Sequence, residues 1–269
     1  MKRVKIAVLT LFVCSAAVFS VFTIRDFLET KDQPPVIEAE QDTISVPIDA
    51  TEEQLCTGLH AMDAEDGDLT DGIIVTNISN FVGDSTCNIS YAVFDTQEQL
   101  GTYTRKVTYT NYQSPKFTVS ELLEVRMGGE VQILDKLSAE DVFDGDISNR
   151  ILILSSTVNS SVAGLYDVTV QVSNSHGDVS ELKLPVSVRD TSIAAPTITL
   201  TESLVYLSRG AVFDPMTYID ENESSVFPSY ISAESTVNTA QPGNYVVTYS
   251  AQNKEGNVGH AYLTVVVEE

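Results

Sequence analysis

Sliding the chain along itself brings three segments into line at a constant offset of 79 residues: "CNISYAVFD" from Cys87, "YDVTVQVSN" from Tyr166 and "YVVTYSAQN" from Tyr245. A pattern written three times binds the chain to fold as three copies of one small unit. Within each segment apolar and polar residues alternate, so that Cys87, Ile89, Tyr91 and Val93 point one way, as do Tyr166, Val168, Val170 and Val172, and Tyr245, Val247, Tyr249 and Ala251. Period-two alternation is that of a strand with one buried face. Polar turns follow ("DTQEQLG", "NSHGD", "NKEGN"), then second alternating runs ("TYTRKVTYT", "SELKLPVSV", "HAYLTVVVE"), so each copy closes in a hairpin.

Shorter apolar runs precede the hairpins at 44–48, 73–75, 131–134, 151–154 and 204–207, and Pro34-Pro35, Pro115 and Pro196 punctuate the three entries. The expected partition is a polar tether at 25–33 followed by domains at 34–111, 114–190 and 195–269. Units of about 78 residues, all strand and with frequent turn signals, predict small antiparallel β-sandwiches.

Residues 6–24, "IAVLTLFVCSAAVFSVFTI", are 19 residues without a charge. At about 1.5 Å per residue they span roughly 28 Å, the thickness of a bilayer's hydrocarbon core. A signal peptide cut after Ala17 would leave a greasy stub from Val18 to Ile24, which favours an uncleaved transmembrane signal-anchor over the cleaved alternative. Lys2, Arg3 and Lys5 keep residues 1–5 in the cytoplasm by the positive-inside rule, and the rest is expected outside the cell as the ectodomain of a single-pass membrane protein.

Beyond Ile24 the chain holds 12 basic against 38 acidic residues. Such a body is repelled by nucleic acid and by anionic headgroups, so neither is expected as a partner of the exported part, and contact with the membrane is through the N-terminal helix. Cys56 and Cys87 lie in a compartment where disulfides persist, one before and one after an acidic turn. A Cys56–Cys87 bridge joining two sheets is expected, against the alternative of two buried free thiols.

That acidic turn, "AEDGDLT" from Ala64, returns as "VFDGDIS" from Val142. Two readings stay open. Asp63, Glu65, Asp66 and Asp68, with Glu140, Asp141, Asp144 and Asp146 in the second copy, offer oxygens of the kind calcium takes, although EF-hand spacing is absent. The structural alternative has glycine adopting positive φ while the aspartates cap neighbouring amides. The third copy has Glu223-Ser224-Ser225 at the corresponding place. Carboxylates adjacent on a surface turn lack the walled geometry of an acid–base pair, and His60, His176 and His260 fall in different repeats, so no enzyme is expected.

The pattern "A-x-D…DGDLT…I-x-V" followed by "G-x-Y-x-V-T-Y-x-A-x-(D/N)-x-x-G-N" resembles the bacterial immunoglobulin-like domains found in tandem on surface proteins, including the kind appended to a pesticidal crystal protein. The resemblance covers residues 34–269, on Asp63 and Asp66 to Thr70 in the first repeat; Asp144 to Ser148, Gly164 and Tyr166 in the second; and Gly243, Tyr245, Val247 to Tyr249, Gly256 and Asn257 in the third. It implies three tandem Ig-like sandwiches after the anchor helix. It also implies a non-enzymatic surface protein whose repeats serve as stalk or adhesion module for a protein or glycan ligand, with a carbohydrate-binding surface protein or the ectodomain of a membrane sensor complex as alternatives. The chain has no Trp, and Tyr103, Tyr109, Tyr112, Phe227 and Tyr230 are the aromatics expected to be partly exposed.

Overall fold

The computed structural model describes residues 2–29 and 33–269. Met1, in the expected cytoplasmic tail, and residues 30–32 of the expected tether lie outside the described residues.

Lys2–Glu29 is a single helix. Its sequence contains neither Gly nor Pro, and the Thr23 hydroxyl is satisfied inside the helix by donating to the Phe19 carbonyl at 3.0 Å. Its segment Val8–Arg25 has a mean hydropathy of 2.0 and buries nothing against the rest of the protein. By length and composition it can cross a membrane.

The remainder is mostly β. Residues Met1–Asn111 and Tyr112–Glu269 form two compact units. In the first, Thr86–Phe94 and Leu100–Tyr109 make the hairpin, flanked by Ile74–Gly83 antiparallel on one side and Thr43–Val46 parallel on the other. A second sheet pairs Leu59–Asp63 with Val36–Ala39 and with Gly67–Asp68. The inward faces meet in a core that includes Cys87, Ile89, Tyr91, Val93 and Val107, each 0% exposed. Arg105 is buried among them, at the position that Leu184 and Leu263 occupy in the other repeats. Its guanidinium donates to the Tyr91 hydroxyl and to the Leu55 carbonyl.

The second unit contains the other two repeats. Gly164–Ser173 and Val179–Arg189 lie between Leu152–Ser156 and a parallel strand Glu124–Arg126, facing a sheet of Lys116–Val119, Leu137–Asp141 and Gly145–Asp146. Gly243–Gln252 and Val258–Val267 lie between Ser232–Ser235 and Leu204–Leu207, and the facing layer is reduced to one bridge, Leu200 to Ile219. Tyr166 and Tyr245 are half-buried, and their hydroxyls donate to the carbonyls of Val162 and Gln241, four residues upstream. Leu204 and Val266 pack on the core of the second repeat, and Leu122 on that of the third.

The expected Cys56–Cys87 bridge is not formed; both are free thiols. Cys56 ends the short helix Glu52–Leu55 with its sulfur directed to the Ile73 carbonyl at 3.9 Å. Cys87 is engaged with the Tyr109 hydroxyl, and burial pushes both thiols above their ordinary pKa.

Candidate functional site

Alternation along Leu59–Asp63 turns Asp63 inward, to 7% exposure. An inward carboxylate needs donors, and it finds them in the chain that follows: Oδ1 accepts from the amides of Asp66 and Glu65, both at 2.8 Å. These bonds stabilise the charged form and hold the Asp63 carboxyl below the usual carboxylate range. Gly67 then takes φ of 79°, closed to most side chains, which lets the chain reverse and pair Gly67 with Asp63. Asp68 Oδ1 accepts the Thr70 amide at 2.9 Å, and the Thr70 hydroxyl and amide hold that carboxyl down as well.

Asp66 reaches out of the turn, taking the Thr96 amide at 2.7 Å and its hydroxyl at 2.9 and 3.0 Å. The acidic turn is thereby clamped to the turn that closes the hairpin.

The second repeat reproduces each part. Asp141 caps Phe143 and Asp144 at 2.9 and 3.1 Å, Gly145 has φ of 67°, and Asp146 takes the Ser148 amide at 2.9 Å. Asp144 binds the Ser175 amide and hydroxyl, both at 2.7 Å, and pairs with Arg150. In the third repeat Asp220 caps Asn222 and Glu223 at 3.0 and 3.2 Å. This third cap eludes the sequence pattern because Asp220 to the buried Ile231 is one residue longer than Asp63 to Ile73 or Asp141 to Ile151. The signal is the acidic residue directly after the bridge residue Ile219, ahead of the divergent "NESS".

Among the described residues, no group of three or more His, Cys, Asp or Glu side chains is gathered as a metal centre. The carboxylates of Asp63, Asp66, Asp68, Asp144 and Asp146 each hold a backbone amide, while Glu65 contributes its own amide to the Asp63 cap. The histidines stand apart. His60 lies 3.3 Å from Glu40, His176 packs on Phe143 with ring centroids 4.4 Å apart, and His260 faces Tyr262.

A further position, unmarked by the acidic motif, recurs at the hairpin turns. Asp95 Oδ1 accepts from Gln97 and Gln99, Asn174 Oδ1 from His176 and Asp178, and Asn253 Oδ1 from Glu255 and Asn257. The signal was the D/N place in the repeated pattern. Asn174 Nδ2 also donates to Asp141 Oδ2 at 3.0 Å and to the Tyr112 hydroxyl at 2.9 Å. Burial, with the Asp178 carboxylate that Tyr112 donates to, pushes that phenol well above its usual pKa.

Of the aromatics expected at the surface, Tyr109 is buried at 5%, Tyr103 is half-buried against Asp42, and Tyr112 is half-buried in the network just described. Phe227 and Tyr230, which precede and end the 3₁₀ turn Pro228–Tyr230 of the third repeat, are 75% and 70% exposed. Within the second unit an open groove of about 550 Å³ runs between the two repeats, lined among others by Leu122, Arg126, Arg189 and His260.

Stacked β layers with a parallel edge strand beside each hairpin, hairpin cores and capped acidic turns define an Ig-like β protein. Residues 198–267 match the family described as "Bacterial surface protein, Ig-like domain". The chain is 32% identical over 145 residues to an uncharacterized 81.3 kDa protein of Acholeplasma phage L2, covering 51% of this chain and 19% of that one. It is 29% identical over 138 residues to the pesticidal crystal protein Cry22Aa of Bacillus thuringiensis, covering 49% of this chain and 18% of that one. The alignments thus span about a fifth of the length of these curated relatives. A structure of the CBM51-2 and INT domains of Clostridium perfringens ZmpB with GlcNAc is 18% identical over 54% of this chain and 26% of its own, at a TM-score of 0.26, too low to bear on function.

Proposed function

We propose that this is a non-enzymatic, membrane-anchored bacterial cell-surface protein, in which three Ig-like domains at 34–111, 114–190 and 195–269 act as a stalk or adhesion module. The observation that carries the reading is the N-terminal helix. Its apolar segment Val8–Arg25 is wholly unburied, which fits a helix solvated by lipid in a chain whose residues 198–267 match a surface-protein family. The carboxylates of the acidic turns serve the fold by capping amides, which leaves the ligand to be met elsewhere on the surface.

Membrane anchoring is tested by expressing the chain in a bacterium, extracting membranes at alkaline pH and shaving intact cells with protease. The expected result is a protein that stays with the membrane and loses its domains to the protease, and that becomes soluble when residues 6–24 are deleted. Release of the full chain by alkali, or protection from protease in intact cells, overturns the reading.

A glycan-binding role is favoured by one observation, the exposed pair Phe227 and Tyr230, since sugars stack on solvent-facing rings. Loss of glycan-array binding in Phe227→Ala with Tyr230→Ala is its expected signature.

A further inference from the structure

Asp63 and Asp95 are 7% and 8% exposed, and the Oδ2 atom of each is shut away from solvent and accepts no hydrogen bond from any group among the described residues. Their Oδ1 atoms are fully used, Asp63 by the amides of Glu65 and Asp66, Asp95 by those of Gln97 and Gln99, all at 2.8 Å.

The second repeat shows where the remaining atoms point. Asp141 stands where Asp63 does, at the end of the equivalent strand, with Oδ1 on the amides two and three residues ahead. Asn174 stands where Asp95 does, with Oδ1 on the amides two and four residues ahead. The clamp between the turns, Asp66 on Thr96 or Asp144 on Ser175, is the same in both repeats and sets their spacing. In the second repeat the two free atoms meet as Asn174 Nδ2 donating to Asp141 Oδ2 at 3.0 Å. In the first repeat the donor is replaced by a second acceptor. The equivalent atoms of the first repeat are thus two buried carboxylate oxygens, at the places where an amide and a carboxylate pair in the second.

We propose that Asp63 Oδ2 and Asp95 Oδ2 are the charged ligands of a calcium site particular to the first repeat, completed by water or backbone oxygens. Four backbone amides on the Oδ1 atoms hold both side chains in place. Burying two negative charges without a counter-charge is costly. A shared proton would leave one charge buried and unpaired, whereas a divalent cation neutralises both. Calcium accepts six to eight oxygens in flexible geometry, while magnesium demands a near-ideal octahedron that a fixed pair does not dictate. With only two carboxylates the site belongs in the weak range of extracellular modules, on the order of 10⁻⁴ to 10⁻³ M. This set shares only Asp63 with the acidic-turn residues, and the proposal does not depend on what the repeats adhere to.

The test is hydrogen exchange by mass spectrometry on the full chain in detergent, in chelator and with about 5 mM calcium chloride, a concentration well above the expected dissociation constant. Calcium is expected to slow exchange about tenfold in peptides covering 59–70 and 91–99, and to leave 137–148 and 170–178 unchanged. Asp95→Asn installs the pair that the second repeat already folds around. It should be protected in chelator and indifferent to calcium. The proposal is overturned if calcium leaves the first repeat unchanged, if Asp95→Asn keeps the calcium response, or if lowering the pH in chelator gives the same protection, which would make the pair a shared proton.

Discussion

Asp144 shows how much of a repeat rests on one carboxylate. It receives the Ser175 amide and hydroxyl and pairs with Arg150, so it joins the acidic turn to the hairpin turn. Partial burial works to raise its pKa and is outweighed by the Ser175 bonds and the Arg150 charge, which hold the carboxyl below the usual range. The folded-state pKa is thus lower than the unfolded value of about 3.9, so the stabilisation is present above that pH and is lost as pH falls through the folded value. Asp144→Ala is expected to lower the stability of residues 112–269 by about 1–2 kcal/mol at neutral pH. The gap between the variant and the parent should close as the pH drops below about 4. Urea unfolding at pH 7 and pH 3 measures both, and a gap of equal size at the two pH values would show that the carboxylate's charge is not what matters.

At the scale of elements, the entry proline of a repeat is docked against the second strand of its hairpin. A Cβ placed on Gly101 would overlap the carbonyl oxygen of Pro35, and one on Gly259 would overlap that of Pro196. The second repeat has Ser180 at this place, where its hydroxyl donates to the Pro115 carbonyl at 2.6 Å. Gly101→Ala and Gly259→Ala are therefore expected to destabilise their own repeats by about 1–3 kcal/mol, the usual cost of overpacking, while Ser180→Ala loses only a hydrogen bond. Thermal melts of the three variants check this, and equal small shifts would mean the strands simply move apart. The hairpins themselves were legible because period-two alternation is a strong signal when it recurs three times. The same alternation carries Arg105 inward against its residue type, in line with Leu184 and Leu263, a placement that only the structure brought out. The helix Glu52–Leu55 was missed because four residues show no helical period, although Thr51 and Gln54 form a capping box. The acidic turns were readable as turns or as ligands, but not as the clamp onto Thr96 and Ser175, since sequence does not say which surfaces meet. The cysteines were misjudged for the same reason: their placement fits a bridge, yet their sulfurs are directed to Ile73 and Tyr109.

Across the larger of the two units, the second and third repeats share interior. The Phe117 amide donates to the Tyr206 hydroxyl at 2.9 Å, Lys116 lies over the Tyr206 ring, and Asn244 Nδ2 donates to the Lys183 carbonyl at 2.7 Å. With Leu204 and Val266 on one core and Leu122 on the other, neither repeat can open without exposing apolar surface of its neighbour. Residues 112–269 should therefore unfold in a single cooperative transition, with calorimetric and van't Hoff enthalpies equal. Tyr206 is the tie. Tyr206→Ala strips the Phe117 amide of its partner and opens a cavity, and it is expected to cost about 3 kcal/mol or more and to split the transition in two. Lys116→Ala removes the cation over the Tyr206 ring and an ion pair with Glu268 whose side chains are 36% and 39% exposed, and it should shift the melt by about 1 kcal/mol or less. Two transitions in the parent fragment would show that the shared contacts are too weak to couple the repeats. An unsplit transition in Tyr206→Ala would assign the coupling to Leu122, Leu204 and Val266.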